Sequence, residues 1–143
     1  MLSAPNCGWS RFEIGTFKRQ CSYLTNPMLD LADLFTKAIK HESGVVHFDA
    51  EDEGTYDFIF NGEDFYIVSR AMDISVIDLY TVSLSDLIKE FVDDISNNIE
   101  AWADWYGYVD KEEMEKERPR NIQQVKDVLL PLQQYLTNIA EGK

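Results

Sequence analysis

Apolar side chains fall at strand spacing along the first half of the chain and at helical spacing along the second, with one helix interrupting the strands. In "WSRFEIGTFK", residues 9–18, the alternation of Phe12 and Ile14 with Trp9, Arg11 and Glu13 predicts a first strand, with Gly15 at a candidate bulge. "TNPMLDLADLFTKAIKH" predicts a helix. Asn26 suits its cap, Pro27 its first turn, and Asp30 and Asp33 its positive end. Met28, Leu31, Leu34 or Phe35, Ala38 and Ile39 form its buried stripe, Lys37, Lys40 and His41 suit its far end, and Gly44 lies just past it. "VVHFDA", "TYDFIF" and "DFYIVSR" follow as an antiparallel meander, with Asn61-Gly62 as a hairpin-turn pair, and "DISVIDLYTV" is the candidate fourth strand of that run.

A long helix is predicted over about 84 to 107, capped by Ser83 or Ser85. Leu84, Leu87, Ile88, Phe91, Ile95, Ile99, Trp102 and Tyr106 line its buried side. "GYVDKEEMEKERPR" mixes Lys with Glu as a solvated connection does, with one helical turn at most. The last segment has Ile122, Val125, Leu129, Leu132, Leu136 and Ile139 on one side and Pro131 where a kink is expected. Together these elements predict one α+β domain over 1–143. Its antiparallel sheet has about four to five strands, its helices pack on one face, and its order is strand, helix, three or four strands, helix, helix.

Composition changes this picture little. At 143 residues and 45% hydrophobic, the chain has ample material for one core. The start, "MLSAPNCGWS", lacks the charged and apolar blocks of a leader, and no run approaches the ~18 apolar residues of a span. A cytoplasmic location is expected. Cys7 and Cys21 have no metal or disulfide spacing and are read as free thiols.

Charge changes it a great deal. The net charge of −13 is confined to the middle: residues 45–110 hold sixteen acids against Arg70 and Lys89, whereas 1–44 hold five bases against four acids and 111–143 six against six. Such a field repels phosphates and anionic lipid and speeds encounter with cationic surfaces, so neither nucleic acid nor membrane is an expected partner. In "HFDAEDEGTYDFIFNGEDFY" seven carboxylates, Asp49, Glu51, Asp52, Glu53, Asp57, Glu63 and Asp64, stand among strand residues without a Lys or Arg. On the predicted long helix, Asp86, Glu90, Asp93, Asn97, Glu100 and Asp104 recur at steps of four and three along one line, beside Asp94. Neighbouring like charges on such a line oppose the helix, and ordinary exposed helices intersperse Lys with Glu. The expectation is a face for a basic partner, comprising the helix line, Asp94, and Asp49, Glu51, Asp52 and Glu53. In "WADWYGY", Trp102 and Tyr106 fit the buried stripe, while Trp105 and Tyr108 fall off it and are candidate interface anchors.

Other chemistries fit less well. "DAEDEGTYDFIF" places carboxylates at the first, third, fifth and ninth positions of a calcium loop with Gly54 sixth, but Phe60 holds the place of the bidentate Glu and both flanks read as strands. His41 and His47 accompany no nucleophile motif, paired acids alone do not make a glycosidase, and no phosphate loop, zinc spacing or dinucleotide fingerprint occurs. No cofactor, metal or catalytic residue is expected.

Two runs resemble a diffuse group of small bacterial proteins: "SYLTNP" with "LDLA", following the strand with Phe12, Ile14 and Phe17, and "EDEGTY" before an aromatic strand. These cover about the first 60 residues and imply shared scaffold turns and caps, with no catalytic residue to carry over. In size, acidity and α+β order the chain is also similar to the immunity proteins of bacterial toxin systems. That similarity implies binding of a cognate toxin domain, a basic nuclease foremost. A general acidic interaction or nucleic-acid-mimic module is the alternative reading, and a small metal-dependent hydrolase a more distant one.

Overall fold

The computed structural model describes all residues except Tyr23, Met72, Asp73 and 106–109. Its first element is a hairpin rather than a lone strand. β1 (Ser10–Ile14) and β2 (Phe17–Cys21) pair antiparallel with Ile14 opposite Phe17, so Gly15, at φ 56°, occupies a two-residue turn instead of a bulge. α1 (Pro27–Ala38) follows the sequence closely: the Asn26 side chain accepts from the Leu29 N–H at 3.3 Å, and Met28, Leu31, Leu34, Phe35 and Ala38 are buried. The chain leaves α1 through His41 at φ 58°. Gly44 serves a different end, since a Cβ there would lie 2.8 Å from Leu34 Cδ1, and its absence lets the next strand approach α1.

β3 (Gly44–Asp49), β4 (Thr55–Phe60), β5 (Phe65–Ala71) and β6 (Ile74–Tyr80) form an antiparallel sheet in sequence order, so the predicted fourth strand is present. A short 3-10 turn, Glu51–Glu53, joins β3 to β4. The fold is α+β, with the strands divided between a two-stranded and a four-stranded sheet.

On the inner side of that sheet, Val46, Phe48, Tyr56, Phe58, Phe60, Phe65 and Ile67 are all buried. Phe12 of the hairpin stacks on Phe48 at 5.0 Å, and Phe35 joins Phe65 to Phe91 with ring centroids 6.1 and 5.4 Å away. Each such ring contributes roughly 1.5–3 kcal/mol by leaving water. Cys21 and Tyr56 are buried side by side, Sγ to Oη 3.3 Å, where burial pushes the thiol up to about 12 and the phenol upward too. Neither titrates in the physiological range.

The helices differ from the sequence expectation in two places. The predicted 84–107 helix is broken into α2 (Leu84–Ser96) and α3 (Ile99–Ala103), with Asn97 capping α2 and the Asn98 side-chain amide donating to the Asp94 carbonyl at 2.9 Å. Adjacent asparagines bond to nearby backbone in preference to continuing a helix, and apolar spacing through Ile95, Ile99 and Trp102 masks the break. Conversely, the charged connection is helical. α4 (Lys111–Ala140) starts where Asp110 accepts from the N–H groups of Glu112 and Glu113, at 2.9 and 3.3 Å, and runs through Pro119 and Pro131. Val125, Leu129 and Leu132 bury its inner side, and α4 packs on α1, α2 and α3. No described helix is long and apolar enough to cross a membrane.

Candidate protein-docking surface

Eleven of the sixteen acids of residues 45–110 fall into two groups, one on the helices and one in turns. Those on the helices are largely committed within the chain. Glu90 and Asp94 accept from the Met1 ammonium at 2.5 and 2.6 Å, and Lys89 reaches Asp93 at 2.6 Å. Burial lowers the Met1 ammonium pKa, but Asp94 and Glu90 outweigh it and hold it above the ordinary value. Asp104, 19% exposed, receives a bidentate fork from Arg118, with contacts of 3.0, 3.0 and 2.6 Å. Because the helix breaks at 97–98, Asp86, Glu90 and Asp93 lie on α2 and Asn97 caps it, while Glu100 lies on α3 and Asp104 caps its end, so the predicted single line of six does not exist. Asp86 and Glu100 remain exposed, without an ion pair among the described residues.

Trp105 is also corrected. It is 2% exposed, stacks on Trp102 at 5.2 Å and donates its indole N–H to the Thr25 carbonyl at 3.1 Å, so it is core rather than a surface anchor. Tyr106 and Tyr108 lie outside the described residues. The neighbouring Trp102 Nε1 is buried with no hydrogen-bond partner among the described residues.

The second group sits in the turns at the two ends of β4. Glu51, Asp52 and Glu53 in the β3–β4 turn, and Glu63 and Asp64 in the β4–β5 turn, are exposed, and none of them makes an ion pair among the described residues. The turns hold these acids out by their own backbone bonds: Asp49 accepts from the Glu51 N–H at 2.7 Å, and Asn61 Oδ1 accepts from the N–H groups of Glu63 and Asp64 at 2.9 and 2.8 Å. Gly62, at φ 97°, completes the second turn.

Between the two turns lies the outward face of the sheet, which no described helix covers. The registers align Val45, Ile59 and Tyr66 in one row, His47, Asp57, Val68 and Ile77 in the next, and Asp49, Thr55, Arg70 and Ser75 in a third. Val45 is 62% and Ile77 70% exposed, while Ile59, Tyr66 and Val68 are half-buried. At the centre Asp57 takes His47 Nδ1 at 2.5 Å and Arg70 Nη1 at 2.6 Å. Partial burial pushes the Asp57 carboxyl up, but His47 and Arg70 outweigh it and hold it below the ordinary carboxylate value. The face is therefore apolar, with a fixed ion cluster in its middle and unpaired acids at both ends.

Sequence reasoning located the turn acids but missed this face. The signal was present in "FIF", "FYIV" and "VI", runs apolar at successive positions, which in a strand place oily side chains on both sides of the sheet. As for metal chemistry, no group of three or more His, Cys, Asp and Glu side chains comes together to hold an ion among the described residues, and Asp57 of the partial calcium loop faces His47 and Arg70. Set against known proteins, the chain matches no family model, no curated protein and no solved structure.

Proposed function

We propose that this protein is a binding protein of the immunity kind, which neutralises a basic toxin domain, a nuclease foremost, by presenting carboxylates where that domain expects phosphates. The observation that carries the reading is the set of five exposed acids, Glu51, Asp52, Glu53, Glu63 and Asp64, held without counter-ions among the described residues at both ends of an apolar face that no described helix covers. Folding does not use them. A basic surface with an apolar centre would gain from both: the acids steer and select, and the apolar rows supply buried area. Steering of this kind raises association rates by about 10–1000-fold at low salt.

The test is whether the adjacent reading frame encodes a toxin domain, followed by co-expression with that domain. Replacing Glu51, Asp52 and Glu53 with Lys is expected to slow association at least about tenfold at low salt and to weaken protection of toxin-expressing cells. Equal binding of the unaltered protein to unrelated basic proteins would favour a general acidic interaction module. Undiminished association by the triple variant would remove the turn from the interface.

A further inference from the structure

The start of α1, the end of α3 and the middle of α4 meet around a cavity of about 260 Å³, formed by residues that the bare sheet face does not use. Its inner wall is buried: Met28, Trp102 and Trp105 are each 2% exposed. The two indoles are fixed against each other, 5.2 Å between centroids with the planes at 18°. Trp105 commits its N–H to the Thr25 carbonyl, whereas Trp102 Nε1 finds no acceptor among the described residues. An unanswered buried donor is costly and rare in a folded protein. The ring that carries this one borders the cavity, where an acceptor from outside the chain can approach it.

The rim supplies hydrogen bonding of both kinds and no charge. Asn26 Oδ1 is held by the Leu29 N–H, which leaves its amide NH₂ as a donor, and the Asn121 amide donates to the Ala103 carbonyl at 3.1 Å, which leaves Oδ1 as an acceptor. Gln124 adds a third amide at the exposed edge. No described lining residue is Asp, Glu, Lys, Arg or His, in a chain of which 27% is charged, so a charged ligand would leave water here without meeting a counter-ion. We propose that this cavity binds a small uncharged aromatic amide or lactam. Its ring packs against Met28 and the indoles, its carbonyl accepts from Trp102 Nε1, and its N–H meets the amides of the rim. Size agrees with this class. An apolar cavity of roughly 150 Å³ holds benzene, and one of about 260 Å³ has space for a ring that bears an amide. An apolar wall with a few placed polar groups is also the usual make-up of a small-molecule site.

Titration of the full chain with benzamide, benzoate or benzylammonium, followed through the indole N–H resonances of Trp9, Trp102 and Trp105, tests this. Benzamide is expected to move the Trp102 resonance saturably, with a dissociation constant of roughly 1 mM or tighter, and to leave Trp9 where it is. Benzoate and benzylammonium should each bind at least about tenfold more weakly. The cation is the sharper control, because a chain of net charge −13 attracts it everywhere else. Trp102→Phe, which keeps a ring and removes the N–H, should weaken benzamide at least about fivefold. Should that variant not fold, Gln124→Lys at an exposed position of α4 decides, and it should bring benzoate at least about threefold closer to benzamide. No shift at Trp102, benzylammonium binding as tightly as benzamide, a folded Trp102→Phe with unchanged affinity, or a Gln124→Lys without effect on benzoate would each overturn the proposal.

Discussion

The carboxylates of α2 and α3 and those of the two β4 turns come from the same cation-poor stretch of sequence, yet the fold uses them differently. On the helices, Glu90, Asp93, Asp94 and Asp104 each find a cation, two of them from distant parts of the chain: the Met1 ammonium and Arg118. At the turns, Glu51, Asp52, Glu53, Glu63 and Asp64 find none among the described residues. A charge deficit in sequence is therefore no measure of a charge deficit on the surface. Where a crowded acid is paired in the fold, its repulsion is already answered; where it is not, the cost has no return inside the molecule.

Substitutions in the two regions should differ in cost, most of all beside the helix acids. Trp105→Ala should cost about 3–5 kcal/mol in denaturant unfolding, because it empties a buried site against Trp102. A loss of partner binding without loss of stability would instead return Trp105 to the interface. Asp104→Asn, which removes the acceptor of the Arg118 fork, should lower the melting temperature by a few degrees, whereas Glu100→Gln, one turn away and without an ion pair, should leave it unchanged.

Asp57→Asn should cost about 1 kcal/mol, since its partners His47 and Arg70 are half in water. Its pKa is held below 3.8 in the folded state, so that stability is fully present above this value and lost as pH falls through the lower folded one. An acid titration of stability should accordingly be shallower below pH 4 in Asp57→Asn than in the unaltered chain, and superimposable curves would contradict the ion cluster. The smallest effect is expected at the turns: Asp52→Asn and Glu53→Gln together should shift stability by no more than about 0.5 kcal/mol.

Local signals in the sequence anticipated much of the fold. Asn26 and Pro27 located the start of α1, Ser83 or Ser85 the start of α2, where Ser83 is the cap, and "TYDFIF" was legible as the strand that β4 forms. What failed depended on a competition that periodicity does not register. Apolar spacing ran straight through Asn97 and Asn98, whose side chains favour local backbone bonds, so a break was read as a continuous helix and six acids were placed on one line. The Asp110 cap, followed by glutamates at the positive end, outweighed the appearance of a solvated connection and began α4 ten residues before "NIQQ". Pairing of Arg118 with Asp104, or of Met1 with Glu90, joins residues whose proximity only the tertiary fold creates. The bare sheet face was legible in principle, since consecutive apolar residues in β4 and β5 leave one set without a core to enter.

A matched pair of charge-neutralised variants, compared by thermal melting at low salt, addresses the contrast most directly. One carries Glu51→Gln, Asp52→Asn, Glu53→Gln, Glu63→Gln and Asp64→Asn; the other carries Glu90→Gln, Asp93→Asn, Asp94→Asn and Asp104→Asn. The turn set should melt at or above the unaltered protein, because it relieves repulsion and breaks no ion pair, and the helix set should melt below it. A turn set that melts lower, or a helix set that melts higher, would show that the fold does not divide its acids in this way.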